Sequence, residues 1–543
     1  MARKPSYTTV ASSCDFFELF KKIEQRFQTC YMLESLGEDS HISRYSLIGF
    51  DPEKIFWANG QELHISDRSG HVESYQSDNP YYLLRDIVPQ NIISRRYAGG
   101  LTGYIGYDAM NYFEPSLSLT ASDAFDAFKF GLYKDGLIYD KMTGELIYFY
   151  YEDNRIALIE TLIDAPSPNI GGLKVVPQGE DMSRAEHAAA VKKVKGDIVE
   201  GKIFQCEVGF KYRFDMLGES INLYEQLRII NPSPQMYYIK FAEQKIIGAS
   251  PELLFRLRQG EMETYPLAGT TKRGATPEED TALARALLND PKEIAEHNMI
   301  VDLHRNDIGR VARFGTVKVR SLMDIKRFSH VQHISSEIVG IMAENEDMFS
   351  ALASNFPAGT LTGAPKIEAM KIIDELELDG RGPYGGAVGH FGFNGDCTFA
   401  IPIRTIFANG SKAYVQTCGG NVFDSNSEDE YQEIQRKFAG TLKVLEQFMG
   451  AESWGKTHPS LLCIWSITMI PLLTIYTNTS VKCWPRLNWT TKLETLKWLL
   501  RAMIKSQWPI LKLLILIELL YPQALVHQRM RAILGCAPKS LQN

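Results

Sequence analysis

The 543-residue sequence has no Cys-x-x-Cys pair among its eight cysteines, and no cysteine and histidine spacing that would seat zinc. Scattered thiols of this kind exclude a disulfide scaffold and suit a reducing compartment. The first twenty residues, MARKPSYTTVASSCDFFELF, lack the continuous apolar stretch of a secretory leader, so a cytoplasmic protein is expected. A net charge of −7 excludes a nucleic-acid binder that works through an overall basic surface. A nucleotide loop is missing too: GTLTGAPK at 359–366 fails the G-x4-G-K-[ST] spacing, and GGLTGYIG at 99–106 is not G-x-G-x-x-G. With 45% apolar and 23% charged residues, an ordinary globular enzyme remains.

Tryptophan is almost absent before residue 450, where only Trp57 occurs; the other six of seven lie in 451–543. That tail contains no aspartate and carries 11 Lys+Arg against 3 Asp+Glu, a net of +8. Residues 1–450 hold 47 basic and 62 acidic residues, a net of −15. A membrane span at 460–476 is uncharged but short and broken by Pro471. A small basic domain lacks caps and strand alternation. The reading preferred here is out-of-frame translation of a glutaminase-coding region. Class I glutamine amidotransferases open with a stretch like DNYDSFTYN, and plausible codons for it, shifted by one base, give the ITMIPLLTI of 467–475. The same shift applied to an SPGPGTPEDAGNS-like stretch gives the PQALVHQRMRAIL of 522–534. The tail is then expected to lack evolved structure.

Within 1–450, β-rich runs at 46–56 and 137–151 alternate with turn clusters, and 164–179 (DAPSPNIGGLKVVPQG) reads as a linker. Ser183 followed by Glu186 predicts a capped helix over 183–200. Strands are expected at 204–214, 236–241, 245–249 and 253–257, and long helices at 291–305 and 427–449. Strands in adjacent runs favour an α+β fold on antiparallel sheets over a Rossmann-type sheet. The expected division is an N-terminal part, 1–170, a catalytic part, 171–450, and the anomalous tail, 451–543.

Two acidic pairs stand out. Glu293 and Glu296 share one face of the first long helix, as Glu430 and Glu433 do on the second, with Lys437 a turn further on. Paired carboxylates suit a hard cation such as Mg2+, but spacing alone equally describes two solvated helix faces.

The motifs PLAGTTKRG (266–274), EHNMIVDLHRNDIGR (296–310), VQHISSEI (331–338), FPAGTLTGAPK (356–366), RGPYGGAVG (381–389) and AIPIRT (400–405) resemble the chorismate-utilising enzyme family, in order and at its spacing. The resemblance covers about 1–450 and implies two antiparallel β-sheets forming a sandwich with helices outside. It implies Glu296 and Glu433 as Mg2+ ligands supported by Glu293 and Glu430. Chorismate contacts would come from Gly269, Thr270, Tyr384, Arg404, Lys437 and the stretch Cys418, Gly419, Gly420. In that stretch the family usually reads G-A-G, so Cys418 departs from the pattern. Glu252 matches the general acid that protonates the departing hydroxyl, and His333 a residue implicated in pyruvate elimination.

Members that attack with water carry a lysine at the position of Gln205, and aminodeoxychorismate synthases one at the position of Ala268. Neither lysine is present, which points to ammonia attack and aromatisation to anthranilate. An aminodeoxychorismate or isochorismate synthase, or a tryptophan-binding relative without activity, are the alternatives. The stretches 33–52 and 231–238 resemble the family's feedback site for tryptophan, with Ser35, Pro234, Gln235 and Met236 as contacts; read on its own, 33–52 is an edge strand and turn. Many relatives have Tyr where Gln235 stands. The tail carries no G-x-C-x-G nucleophile, so ammonia from glutamine requires a glutamine amidotransferase partner, in a heterotetramer or similar assembly. Neither nucleic acid nor membrane is an expected partner.

Overall fold

A computed structural model describes residues 4–450 except 13, 37–43, 89–91, 93 and 328–330, so the expectation for the tail lies outside the described residues. Two antiparallel sheets of twelve strands each carry the fold, with helices packed on them. The strands that position the site are β1 (Thr29–Glu34), β2 (Leu173–Glu180), β3 (Gln205–Gly218), β4 (Gln235–Phe241), β5 (Gln244–Ser250), β6 (Leu253–Arg258), β7 (Leu267–Lys272), β8 (Val331–Ile341), β9 (Thr405–Asn409) and β10 (Lys412–Asn421). The helices are α1 (Arg184–Val199), α2 (Pro291–Gly309) and α3 (Ser427–Glu446).

The first sheet contains the run β1-β4-β5-β9-β10-β3-β2, and the second holds β7, β8 and β6. In both sheets the strands from before residue 170 form one contiguous block and those from after it the other, joined side by side into one sheet. Aromatic rings dominate the core: Phe391 lies 4.4 Å from Phe349 and 4.6 Å from Phe399, centroid to centroid. Rings at this separation bury large area in fixed geometry. A second apolar cluster, including Phe20, Ile247, Ile406 and Phe438, fills the space beneath the helices on the first sheet.

Helix α1 begins as its capping box dictates. Ser183 Oγ accepts from Glu186 N, and Ser183 N donates to the Glu186 carboxylate at 2.7 Å. The linker expected over 164–179 is corrected: its second half is the strand β2, paired along β3. Pro177 is tolerated because β2 is an edge strand and a register shift falls between Pro177 and Gly179. The edge reading of 33–52 is also corrected, since β1 lies between β4 and the strand Tyr45–Phe50. No helix among the described residues is long and apolar enough to cross a membrane.

Candidate active site

The acidic helices are built from strong start signals. At α2, Asp290 caps Lys292 N and Glu293 N and Pro291 takes the first position. At α3, Asn426 accepts from Glu428 N and Asp429 N. The caps fix the phase of each helix and place Glu293 with Glu296, and Glu430 with Glu433, a turn apart. Burial, and then mutual repulsion in which Glu433 acts on all three, raises the carboxyls of Glu293, Glu296 and Glu430 above the usual range. The two helices therefore turn their acids toward each other.

Lys437 tempers this charge. Its ammonium sits 2.8 Å from Glu433 Oε1 and donates to the Cys418 carbonyl at 2.8 Å. Among the described residues no three His, Cys, Asp or Glu side chains are gathered closely enough to form a metal cluster as they stand. The donor chemistry nevertheless fits a hard cation. All four groups are carboxylates, and the buried Glu430 Oε2 has no hydrogen-bond partner.

Beneath the helices, β3 and β10 form a floor. Glu207 pairs with Gly420 and Gly209 with Cys418 across it, so Gln205 and Glu207 project from one face. Cys418 departs from the family pattern without leaving a gap. Its thiol accepts from Tyr384 Oη at 3.2 Å and donates weakly to Glu207 Oε2 at 3.5 Å. Glu430 Oε2 would lie 3.3 Å from a Cβ on Gly419.

The facing wall comes from the second sheet and its connections. Glu252 follows β5 in a turn clamped to the segment before β9: Ser250 Oγ donates to the Ile401 carbonyl at 2.6 Å, and Ile401 N to the Glu252 carbonyl at 3.1 Å. Burial pushes the Glu252 carboxyl up to about 8 against the opposing pull of Thr360, Leu267 N and Arg404, so it holds a proton at neutral pH. Arg404 has φ 51, a left-handed backbone that non-glycine residues avoid, and such outliers gather at functional sites.

His333 and Thr270 are direct partners across β7 and β8. Burial pulls the imidazole down to about 4, so it is neutral at pH 7. Its Nδ1 lies 3.1 Å from the Gly269 carbonyl, an acceptor only, which assigns the proton to Nδ1 and the lone pair to Nε2. The β7 register slips between Ala268 and Thr270, where Gly269 has φ +71, and a Cβ there would come 2.9 Å from Glu293 Oε2.

These groups converge. Glu207 lies in the fields of Lys437, Glu433 and Glu296, Glu252 in those of Arg404 and Glu207, and His333 in that of Arg404. Ser35 lines a second, separate cavity of about 480 Å³ that none of these groups borders; 234–236 do not line it themselves. It is lined by Ser35, Glu34, Arg228, Phe16, Phe17 and Tyr139. Ser35 Oγ is buried there without a hydrogen-bond partner, while Glu34 holds Arg228 Nε at 2.7 Å. Met236 adjoins the cavity by pairing with Glu34, and Leu36 N donates to the Ser233 carbonyl beside Pro234. Gln235 opens β4.

Two residues of the site escaped the sequence reading. Glu207 sits in a strand buried over most of its length, and the signal was a lone carboxylate two positions after Gln205 on the same strand face. Thr360, whose hydroxyl meets Glu252 Oε1 at 3.3 Å, carried no signal beyond its motif.

Comparison with known proteins agrees with this geometry. The profile of the chorismate binding enzyme family matches residues 28–443. Anthranilate synthase component 1 of Leptospira biflexa is 51% identical over 460 residues, covering 82% of this chain and 97% of its own. The protein of the same name from Saccharolobus solfataricus is 39% identical over 435 residues, covering 80% and 97%. Among solved structures, anthranilate synthase component I from Streptococcus pneumoniae TIGR4 superposes with a TM-score of 0.66 at 31% identity, over 74% of this chain and 93% of that one. The menaquinone-specific isochorismate synthase from Escherichia coli, at 17% identity and a TM-score of 0.62, shares the fold.

Proposed function

The chain belongs to the chorismate-binding enzymes, and we propose that it converts chorismate and ammonia to anthranilate and pyruvate, the first committed step of tryptophan biosynthesis. One observation carries the reading: a carboxylic acid that keeps its proton at pH 7 and a neutral imidazole face one charged site. Glu252 gives its proton to the C4 hydroxyl, which leaves as water while ammonia bonds to C2 and the ring double bonds shift. Nε2 of His333 then takes the C2 proton, the C3–O bond breaks, and pyruvate departs from an aromatic ring. Arg404 suits a planar carboxylate and Lys437 a point charge, so they hold the substrate's two carboxylates, with Tyr384, Gly269, Thr270 and the 418–420 backbone shaping the pocket.

Glu296 and Glu433, supported by Glu293 and Glu430, are the residues that would hold Mg2+. When bound, the ion would neutralise the ring carboxylate of chorismate. Glutamine-dependent turnover requires ammonia from a glutamine amidotransferase partner. The second cavity suits tryptophan as inhibitor: it offers aromatic rings together with both signs of charge, as a zwitterion with an indole requires.

Gln205 and Ala268 favour this product over isochorismate or aminodeoxychorismate, because neither side chain can act as a lysine would. The full chain incubated with chorismate, Mg2+ and ammonium is expected to yield fluorescent anthranilate by HPLC. Isochorismate or aminodeoxychorismate as the main product overturns the assignment, and tryptophan binding without turnover reveals a regulatory relative.

A further inference from the structure

The reaction leaves one proton without an owner. At neutral pH ammonia is overwhelmingly ammonium, which has no lone pair to bond C2 until it gives up one proton. Glu252 is committed to the departing hydroxyl, and His333 to the later C2 proton.

Glu207 has no role in that scheme, and its setting is unusual. It is only 6% exposed, and Lys437 acts on it through its field while pairing directly with Glu433. Oε1 accepts from Gln205 Nε2 at 3.1 Å, and Oε2 has only the weak Cys418 thiol at 3.5 Å. The backbone makes room for it, because a Cβ on Gly420, its cross-strand partner, would fall 2.5 Å from Oε1. The cation that faces it, Lys437, is already paired with Glu433, and a buried carboxylate so incompletely met is costly unless something else meets it.

We propose that Glu207 is the ammonium-binding residue and proton acceptor of the amination step, a role that rests on the ammonia-dependent reading above. The carboxylate attracts ammonium into the floor and takes one of its four protons, and the lone pair so freed bonds to C2, leaving the product nitrogen as an –NH3+ group. The C1=C2 electrons move round the ring, and the C4–O bond breaks with the proton from Glu252. Glu207 ends protonated and Glu252 ionised; a proton passed from the first to the second restores both. The groups facing Glu207 are Lys437 and Glu433 from α3, Glu296 from α2, Cys418 from β10 and Glu252 from the β5–β6 turn. Arg381 contacts only its carbonyl, at 2.7 Å. Burial, offset by Lys437, pushes the carboxyl up to about 7, a value suited to taking and returning a proton.

Steady-state kinetics of the full chain with ammonium, read as anthranilate formed, test this. Glu207→Gln, nearly isosteric, is expected to lower kcat/KM for ammonium at pH 7 by about 100-fold. KM for chorismate should change less than about threefold, and the loss should shrink as pH rises and free ammonia accumulates. Glu207→Asp, which keeps the charge one methylene further back, should recover part of the rate. An unchanged ammonium dependence in Glu207→Gln overturns the proposal, as does an equal loss for both substrates at every pH, which marks a structural role. If Glu207→Gln does not fold, a Glu207→Asp enzyme with wild-type ammonium kinetics and pH profile overturns it. A wild-type chain that makes no anthranilate overturns the underlying reading instead, and is recognised before any variant is made.

Discussion

Glu433 Oε1 and Lys437 Nζ lie 2.8 Å apart, one turn from each other on α3, so the acid assigned to the metal is held by a cation of its own helix. A divalent ion bound at the proposed site would have to draw Glu433 away from that partner. Glu433→Gln should therefore abolish Mg2+-dependent turnover, or raise the Mg2+ needed for half-maximal rate by more than about 10-fold, with an unchanged far-UV spectrum. Undiminished turnover at low Mg2+ would remove Glu433 from the site.

The Glu252 carboxyl at about 8 sets an alkaline limit. With free ammonia and chorismate saturating, the rate is expected to fall above about pH 8 as the acid loses its proton. Neutral His333, at about 4, imposes no limb between pH 6 and 8. Glu252→Gln should cost about 10²–10⁴ in rate. Linkage has a definite sign here: the native state binds the extra proton, so this group's stabilisation is complete below about pH 4 and is lost as pH rises toward 8. Melting curves should show Glu252→Gln lacking that slope; a variant with the wild-type slope would place the raised acid elsewhere.

Gly269 is a backbone requirement. Gly269→Ala forces a left-handed alanine, at a cost of about 1–2 kcal/mol, and pushes its Cβ toward Glu293. Denaturant unfolding should report the destabilisation and turnover should drop with it. Wild-type values for both would mean that the β7 bulge rearranges freely.

Much of this was legible beforehand because it is local. The Ser183 box and the i, i+3 acids follow from a few consecutive residues. Spacing could not say that α2 and α3 face each other, because that depends on long-range packing. The same limit hid β2, where Pro177 spoke for a loop until its edge position was known. Glu207 was missed because its meaning lies in Gly420, more than two hundred residues away. Arg404 gave no hint of its left-handed backbone, which only its surroundings impose.

Ser35 is the residue on which the proposed inhibitor cavity is judged. Ser35→Phe should fill it and raise the tryptophan concentration for half-inhibition by more than about 10-fold, equivalent to 1.4 kcal/mol, at an unchanged uninhibited rate. Equal inhibition of variant and wild type would send the effector elsewhere.

Met236 pairs with Glu34 on one side and with Ala249 on the other, and Glu252 lies three residues beyond Ala249. Cavity wall and proton donor are thus separated by two strand spacings and three residues of rise, roughly 14 Å, with hydrogen bonds across both spacings. A ligand that shifts this central strand has a short lever on the chemistry. Inhibitor-resistant substitutions at 234–236 will then carry a kinetic penalty that those at Ser35 escape, and selection for resistant yet vigorous growth should favour the latter.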